Sequence, residues 1–441
     1  MERSEVLWQV FPLGALGTPS VNAKLDGTQP DSPPRHTLAD LVPWCDHAAN
    51  LGATGILLGP IFDSYSHGYD TVDHYTIDPR LGTRDDFGTL VHAAHAKGLK
   101  VVLDGVFNHV GSRHPYLLDL AQNGPRSEYA DFFRVNWQGW SVGSLPQYDT
   151  FEGHTGLAAL NHEHPGVLTY IQRVMTYWLD AGADGWRLDA AYALDPATWT
   201  RILPPVREQF PKAWFCGEVI HGDYPALVRA SGWDSLTEYE LWKATWSSLR
   251  ERNFFELDWT LRRHNEFLDT FVPQTFVSNH DVTRIVSQVH GDAQALTAAV
   301  ILFTVGGIPS IYYGDEFGWG GVKEERLGGD DAIRPPLPDS LKNAAWNARE
   351  KEFLRAYKEL VALRAQHPWL MTARTHVEYL DNEQIRYSSK GANGQALTVV
   401  LNTASTPVPL DHEMLSGIRQ WLLSPSEDGL HHAAIGYPQI P

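Results

Sequence analysis

The chain has 441 residues, enough for one large domain with a smaller companion and a sizeable buried core. Its 43% hydrophobic and 20% charged residues mark it as globular rather than disordered. Lys+Arg 35 against Asp+Glu 53 leaves a net charge of −18, which supplies no basic footprint for nucleic acid or an anionic membrane and fits a neutral or cationic ligand.

In chain order, "EVLWQVFP" reads as a first strand, preceded by no apolar stretch of the kind that opens a signal peptide. "TLADLVPWCDHAANLG" is a helix ending at Gly52, "GILLGP" the second strand, and "RDDFGTLVHAAHAKG" a helix closing on Gly98. "KVVLDGVFNHV" is the third strand and its exit. "GVLTYIQRVMTYWLDAG" is a helix, "DGWRLDA" a strand, "TWTRILPPVREQF" a helix and "AWFCGEV" a strand; "DSLTEYE", "QTFVSNHD" and "IPSIYYGDE" complete the set. About eight apolar runs alternating with amphipathic segments predict a (β/α)8 barrel, since no GxGxxG turn supports a doubly wound sheet.

The stretch 111–164 lacks a clean period and reads as an excursion after strand three. From about residue 372 the pattern turns to alternating strands, "HVEYL", "QIRYSS", "ALTVVLN" and "RQWLL". The expected organisation is a barrel over 1–110 and 165–371, an inserted small domain over 111–164 and a C-terminal β domain over 372–441. No apolar run approaches the ~18 residues a spanning helix needs. Cys45 and Cys216 form no CxxC, and as buried free thiols they suit a reducing compartment. A soluble, cytoplasmic protein is expected.

The carboxylates of interest fall at the C-terminal ends of expected strands: Asp104, Asp189, Glu218 and Asp281. In a barrel those ends converge on one mouth. Arg187 and Asp189 share a face of their strand, so the guanidinium is expected to hold Asp189 ionised; an ordinary structural ion pair has the same signature. Glu218 follows an apolar strand with no basic residue just before it, so desolvation is expected to keep it protonated. One ionised and one protonated acid can cleave a glycosidic bond. His109 and His280 flank these acids and can hydrogen-bond hydroxyls.

"DGVFNH", "GWRLDAA", "GEV" and "FVSNHD", in that order on an eight-fold β/α pattern, resemble the four motif regions of the α-amylase family, glycoside hydrolase family 13; "HGYDTVDHYTIDPRLGT" and "IPSIYYGDE" add to the likeness, which runs from about residue 6 to 370. The resemblance implies a retaining mechanism with Asp189 as nucleophile, Glu218 as general acid/base and Asp281 holding sugar hydroxyls and stabilising the transition state. Arg187 then orients Asp189, His109 and His280 bind the ring in the cleavage subsite, and Tyr69 stacks beneath it. Asp70 and Asp104 count with the binding residues, with a structural role at the barrel mouth the expectation for both. His221, three residues after Glu218, is placed to touch a leaving-group sugar or to serve as a plain loop residue. The insertion corresponds to the family's domain B and the C-terminal strands to its domain C.

Departures from the family pattern bear on the substrate. Ser66 stands where exo-acting α-glucosidases typically carry an acid, and Ala190 follows the nucleophile where α-1,6-specific enzymes often have Val. Tyr192-Ala193 replace the Lys-His of many secreted α-amylases; Asn108 alone matches a calcium ligand, so no metal and no cofactor is expected. The first strand begins close to Met1, so the extra N-terminal domain of dimeric cyclodextrin-degrading relatives is not expected. His92 and His95 lack a third ligand, and His162 and His164 read as loop or helix-start residues. The expected partner is an α-glucan oligosaccharide cleaved at α-1,4 bonds. The alternatives are an α-glucosyl transferase or isomerase, or an α-1,6-glucosidase, using the same acids. A catalytically dead homologue has no reason to keep all three. Oligomeric state is left open.

Overall fold

Every apolar run read as a strand forms one. The computed structural model describes residues 5–25, 27, 33–326, 328–339, 341, 344–404, 418–423 and 432–438. Within them β1 (Leu7–Val10), β2 (Gly55–Leu58), β3 (Lys100–Gly105), β4 (Gly185–Leu188), β5 (Trp214–Gly217), β6 (Ser235–Leu236), β7 (Gln274–Phe276) and β8 (Ile308–Tyr312) make one parallel sheet in the order β6-β5-β4-β3-β2-β1-β8-β7. The ends meet through a bridge between Thr237 and Gln274, reinforced by the Glu238 N–H donating to the Gln274 carbonyl at 2.9 Å. The sheet is thus a closed (β/α)8 barrel. Its strands are buried on both faces, which explains their unbroken apolar runs.

Local chemistry sets the helices between the strands. α1 (Val42–Leu51) stops at Gly52, whose φ of +97° is the left-handed cap glycine supplies most easily. α2 (Arg84–Ala96) starts from a capping box in which Thr83 and Asp86 satisfy each other's backbone N–H. α3 (Pro165–Asp180) buries Trp178 with Ile171, Val174 and Met175 against the sheet.

Two features go beyond the sequence reading. Between β2 and α2 lies an antiparallel hairpin, Phe62–Ser64 with Thr71–Ile77, whose turn holds "SHGYD". The exit of the third strand is separate from it: His109–Gly111 pairs antiparallel with Leu157–Ala159 and so ties both ends of the insertion together. Gly111 is required there, because a side chain would run into the Asp70 carbonyl.

At the C-terminus β9 (Arg374–Leu380), β10 (Gln384–Lys390), β11 (Ala396–Asn402), β12 (Ile418–Leu423) and β13 (Ala433–Pro438) form an antiparallel sheet ordered β9-β10-β11-β13-β12. Of the 372–441 segment, residues 405–417, 424–431 and 439–441 lie outside the described residues, as does Leu327 in "EERLGGDDAIRPP". Among the described residues no helix is long and apolar enough to cross a membrane.

Register is what positions the site. Arg187 on β4 sits level with Asp104 on β3 and with Cys216 on β5; one step on, Leu188 is level with Gly105 and Gly217. Asp189 and Glu218 are the next residues of their strands, so they leave the barrel at the same height.

The closing seam has its own clamp. Glu238, just beyond β6, and His264, on the helix Phe255–Phe267, are both fully buried, with His264 Nδ1 2.8 Å from Glu238 Oε2. Removing one partner leaves the other buried and uncompensated, so Glu238→Ala is expected to cost about 3–5 kcal/mol. Urea unfolding measures this; an unchanged midpoint would mean that the backbone bridge alone holds the seam.

Candidate active site

One guanidinium organises the barrel mouth. Arg187 Nη1 lies 2.6 and 2.7 Å from the two oxygens of Asp104 and 3.3 Å from Asp189 Oδ1, while Nη2 lies 2.5 Å from Glu218 Oε1. All four side chains are nearly inaccessible to solvent. Glu218 gains two more donors: the Ala190 N–H at 2.9 Å to Oε2 and the Tyr239 hydroxyl at 3.3 Å to Oε1. The Ala190 contact requires a sharp turn after Asp189, and Ala190 has a left-handed φ of 45°, strained for a residue with a Cβ.

Three carboxyls around one positive charge cannot all ionise freely in a buried site. Burial pushes Asp104 up to about 6 against the pull of Arg187. Burial, then the charge of Glu218, pushes Asp189 well above the usual carboxylate range, with Arg187 opposing. Burial thus favours a protonated carboxyl within the cluster. This corrects the expectation that Arg187 holds Asp189 charged. Arg187 faces Asp104 because strand register puts them side by side, and its other arm reaches Glu218, so the glutamate has a basic partner that its own strand did not reveal.

A second line of groups runs from Asp104 across the mouth. The Tyr69 hydroxyl donates to Asp104 Oδ2 at 3.0 Å and sits 2.5 Å from His280 Nε2, and Gln9 Nε2 approaches His280 Nδ1 at 3.1 Å. Burial lowers His280 well below an ordinary histidine, helped by the charges of Arg187, Arg334 and Lys323. A neutral ring accepting from Gln9 must donate from Nε2, so the tyrosine is free to donate to the aspartate. The His280 ring lies near-parallel to those of Tyr69, at 5.6 Å, and Phe11, at 5.8 Å.

Asp281 stands apart from the three clustered acids. Its side chain is 43% exposed, against 1% for Asp104, and its Oδ1 lies 2.7 Å from Lys323 Nζ. Asp281 follows β7 by a short turn in which its N–H donates to Asn279 Oδ1 at 2.8 Å, and Asn279 Nδ2 in turn reaches the Tyr239 hydroxyl at 3.1 Å.

The insertion forms part of the rim. Phe151 stacks on His109 at 4.7 Å, and Glu152 accepts from the Tyr192 hydroxyl at 2.9 Å. His221 is exposed, its ring 6.4 Å from that of Tyr192. Burial drops His109 to about 4, and its Nε2 is 3.1 Å from the Tyr69 carbonyl.

Asp70 and Asp104, counted with the binding groups but expected to be structural, are bonded to the frame. Asp70 accepts the Ser66 N–H at 2.9 Å and its hydroxyl at 2.7 Å, fixing the hairpin turn; Asp104 has both oxygens on Arg187 and one on Tyr69. Asn108 directs its amide to His109 Nδ1 at 3.1 Å. Among the described residues no group of three or more His, Cys, Asp or Glu is placed to hold a metal ion. His162 bonds the Phe107 carbonyl at 2.8 Å, and His95 pairs with Asp184. Sequence reasoning missed Gln9, Tyr239, Asn279 and Lys323; of these Asn279 lies inside the "FVSNHD" motif, which was the signal available for it, while the other three lie in no motif.

The family described as "Alpha amylase, catalytic domain" matches residues 41–373. A cyclomaltodextrinase of Geobacillus thermopakistaniensis is 30% identical over 93% of this chain and 71% of its own length. An intracellular maltogenic amylase of Bacillus subtilis is 30% identical over 78% of this chain and 57% of its own, so the chain spans little more than half of that relative. Among solved structures, a cyclic α-maltosyl-(1→6)-maltose hydrolase from Arthrobacter globiformis, in complex with cyclic α-maltosyl-(1→6)-maltose, superposes with a TM-score of 0.76 at 25% identity, covering 90% of each chain.

The electrostatics of the cluster can be checked directly. The charge of Asp104 is one of the causes that raise Asp189. Asp104→Asn removes that like charge, so the Asp189 carboxyl is expected to titrate lower. Carboxyl 13C NMR measures it. An unchanged or higher value would mean that Arg187 leaves Asp189 when Asp104 is neutral.

Proposed function

Since the chain belongs to the α-amylase family of glycoside hydrolases, we propose that it cleaves α-1,4-linked gluco-oligosaccharides with retention at the anomeric carbon. The observation that carries this is the placement of Asp189 and Glu218 on two arms of one guanidinium, at the ends of neighbouring strands. Retaining chemistry needs two carboxyls about 5 Å apart on opposite sides of the bond to be cut.

In this reading Asp189 attacks the anomeric carbon while Glu218 gives its proton to the leaving oxygen. The C–O bond to the leaving sugar breaks as the bond to Asp189 forms. Water, deprotonated by Glu218, then attacks the same carbon; Asp189 leaves, and Glu218 is again protonated. Glu218 has to carry a proton for the first step. Positive charge developing at the sugar favours the Asp189 anion, which moves the proton that way. Asp281 holds ring hydroxyls, with Tyr69, His109 and His280 against the sugar. Asp104 keeps Arg187 in place and Asp70 keeps the Tyr69 turn in place, so both serve binding through other residues. Tyr192 and His221 face the leaving-group side.

The relatives named for cyclomaltodextrin and maltogenic activity support an α-1,4 substrate, and the one named intracellular, with both thiols buried and free, supports a cytoplasmic site of action. A second reading, action at α-1,6 bonds, is favoured by the likeness to a hydrolase of a cyclic (1→6)-linked maltose.

Chromatography of products from maltotetraose, isomaltotriose, trehalose and sucrose separates the readings. Shorter maltosaccharides and glucose alone are expected. Cleavage of isomaltotriose in preference establishes the second reading, and products longer than the substrate establish a transferase. Asp189→Asn is expected to lower kcat by more than about 10³-fold with the fold intact; activity within tenfold of the parent would remove it as nucleophile. Glu218→Gln is expected to cost about 10²–10⁴-fold on maltosaccharides and far less on aryl glycosides with good leaving groups. Equal losses on both would rule out its acid role.

A further inference from the structure

Lys323 lies on the stretch after β8, in no motif, yet it makes the closest contact to the third acid. Its Nζ is 2.7 Å from Asp281 Oδ1 and also donates to the Asp281 backbone carbonyl at 3.1 Å. One ammonium thus chelates the main chain and the side chain of the same residue, which selects one side-chain rotamer as well as neutralising the charge.

The lysine is itself aimed. Its own N–H donates to Thr283 Oγ1 at 3.0 Å, the Gly321 N–H donates to Ser287 Oγ at 2.9 Å, and the Arg284 N–H donates to the Gly321 carbonyl at 3.0 Å. Three bonds therefore fasten residues 321–323 to the segment that begins at Asp281. An ordinary surface pair, held only by its two charged tips, has no such backing and contributes little.

Further charges complete the arrangement. Asp330 lies 3.9 Å from Lys323 and 2.9 Å from Arg334 Nη2, while Arg334 Nε donates to the His280 carbonyl at 2.9 Å and its guanidinium lies 4.3 Å over Phe11. Arg334 reaches Asp281 at only 4.0 Å, so Lys323 is its principal cation.

We propose that Lys323 is a positioning residue for Asp281, fixing the rotamer with which that acid grips the hydroxyls of the distorted sugar. The inference rests on the role of Asp281 stated above. A grip that tightens as the ring distorts acts in the transition state, so its loss falls on kcat rather than KM. A residue that only bound substrate would move KM, and one that only held the loop, which the backbone bonds of residues 321–323 already fasten, would tolerate loss of its charge.

Steady-state kinetics on maltotetraose with Lys323→Met, Lys323→Arg and Asp281→Asn tests this. Lys323→Met is expected to lower kcat at least about tenfold with KM within threefold of the parent, and Lys323→Arg to recover most of the loss. Inactive Asp281→Asn beside a Lys323→Met enzyme whose kcat is within twofold of the parent overturns the positioning role and leaves the acid's role standing. A loss confined to KM, or one that arginine does not repair, also overturns it. Near-parental activity of Asp281→Asn overturns the assignment of the third acid, and this inference with it.

Discussion

The site depends on one guanidinium whose place is set by strand register. Arg187 cannot slide, because β4 is hydrogen-bonded on both sides and a one-residue slip would turn its side chain away from the barrel interior. Its neighbour across β3 is Asp104, and that pair anchors the arginine. With the anchor in place, the remaining donor capacity of the guanidinium faces the two acids that emerge one level higher. Two reactive carboxyls are thus held from below by one rigid group, and neither needs a partner of its own from a mobile loop.

Around that hub the groups divide by rigidity. Asp104, Asp189 and Glu218 end strands whose neighbours are locked by the barrel, and all are buried. His280 and Tyr69 form a neutral relay that fills the far side of the mouth without adding charge. Asp281 belongs to a turn, is far more exposed, and takes its orientation from Lys323 on another loop. Groups that take part in bond making under the proposed chemistry are those with least freedom. The group proposed to grip hydroxyls sits where a ring can arrive and change shape.

Much of this was legible because it is periodic or local. The eight apolar runs could be placed because parallel barrel strands are buried on both faces, and the helix stops because Gly52 marks a left-handed cap. The acids could be placed because they terminate those runs. The partner of Arg187 could not, since Asp189 is its neighbour along the chain and Asp104 is its neighbour across the sheet, 83 residues away. The same limit hid Arg187 from Glu218 and Lys323 from Asp281, the latter 42 residues apart on loops without periodicity. The hairpin carrying Tyr69 went unread because its first strand has only three residues and its pairing is broken by register shifts.

The cost of gathering three carboxyls around one cation is also what the proposed reaction can use. If all three ionise, one guanidinium leaves two negative charges without a partner in a place sheltered from water. Protonation relieves that strain, and burial above all, with the charge of Glu218 beside it, raises both Asp104 and Asp189. A sugar ring that gains positive charge relieves it differently, by supplying the missing cation. At an effective dielectric of 20, one unit charge 4 Å from another is worth about 4 kcal/mol, roughly three powers of ten in rate. The same arrangement that disfavours a charged Asp189 at rest therefore favours it at the moment charge develops on carbon, and a proton released there has Glu218 as its neighbour on the same guanidinium.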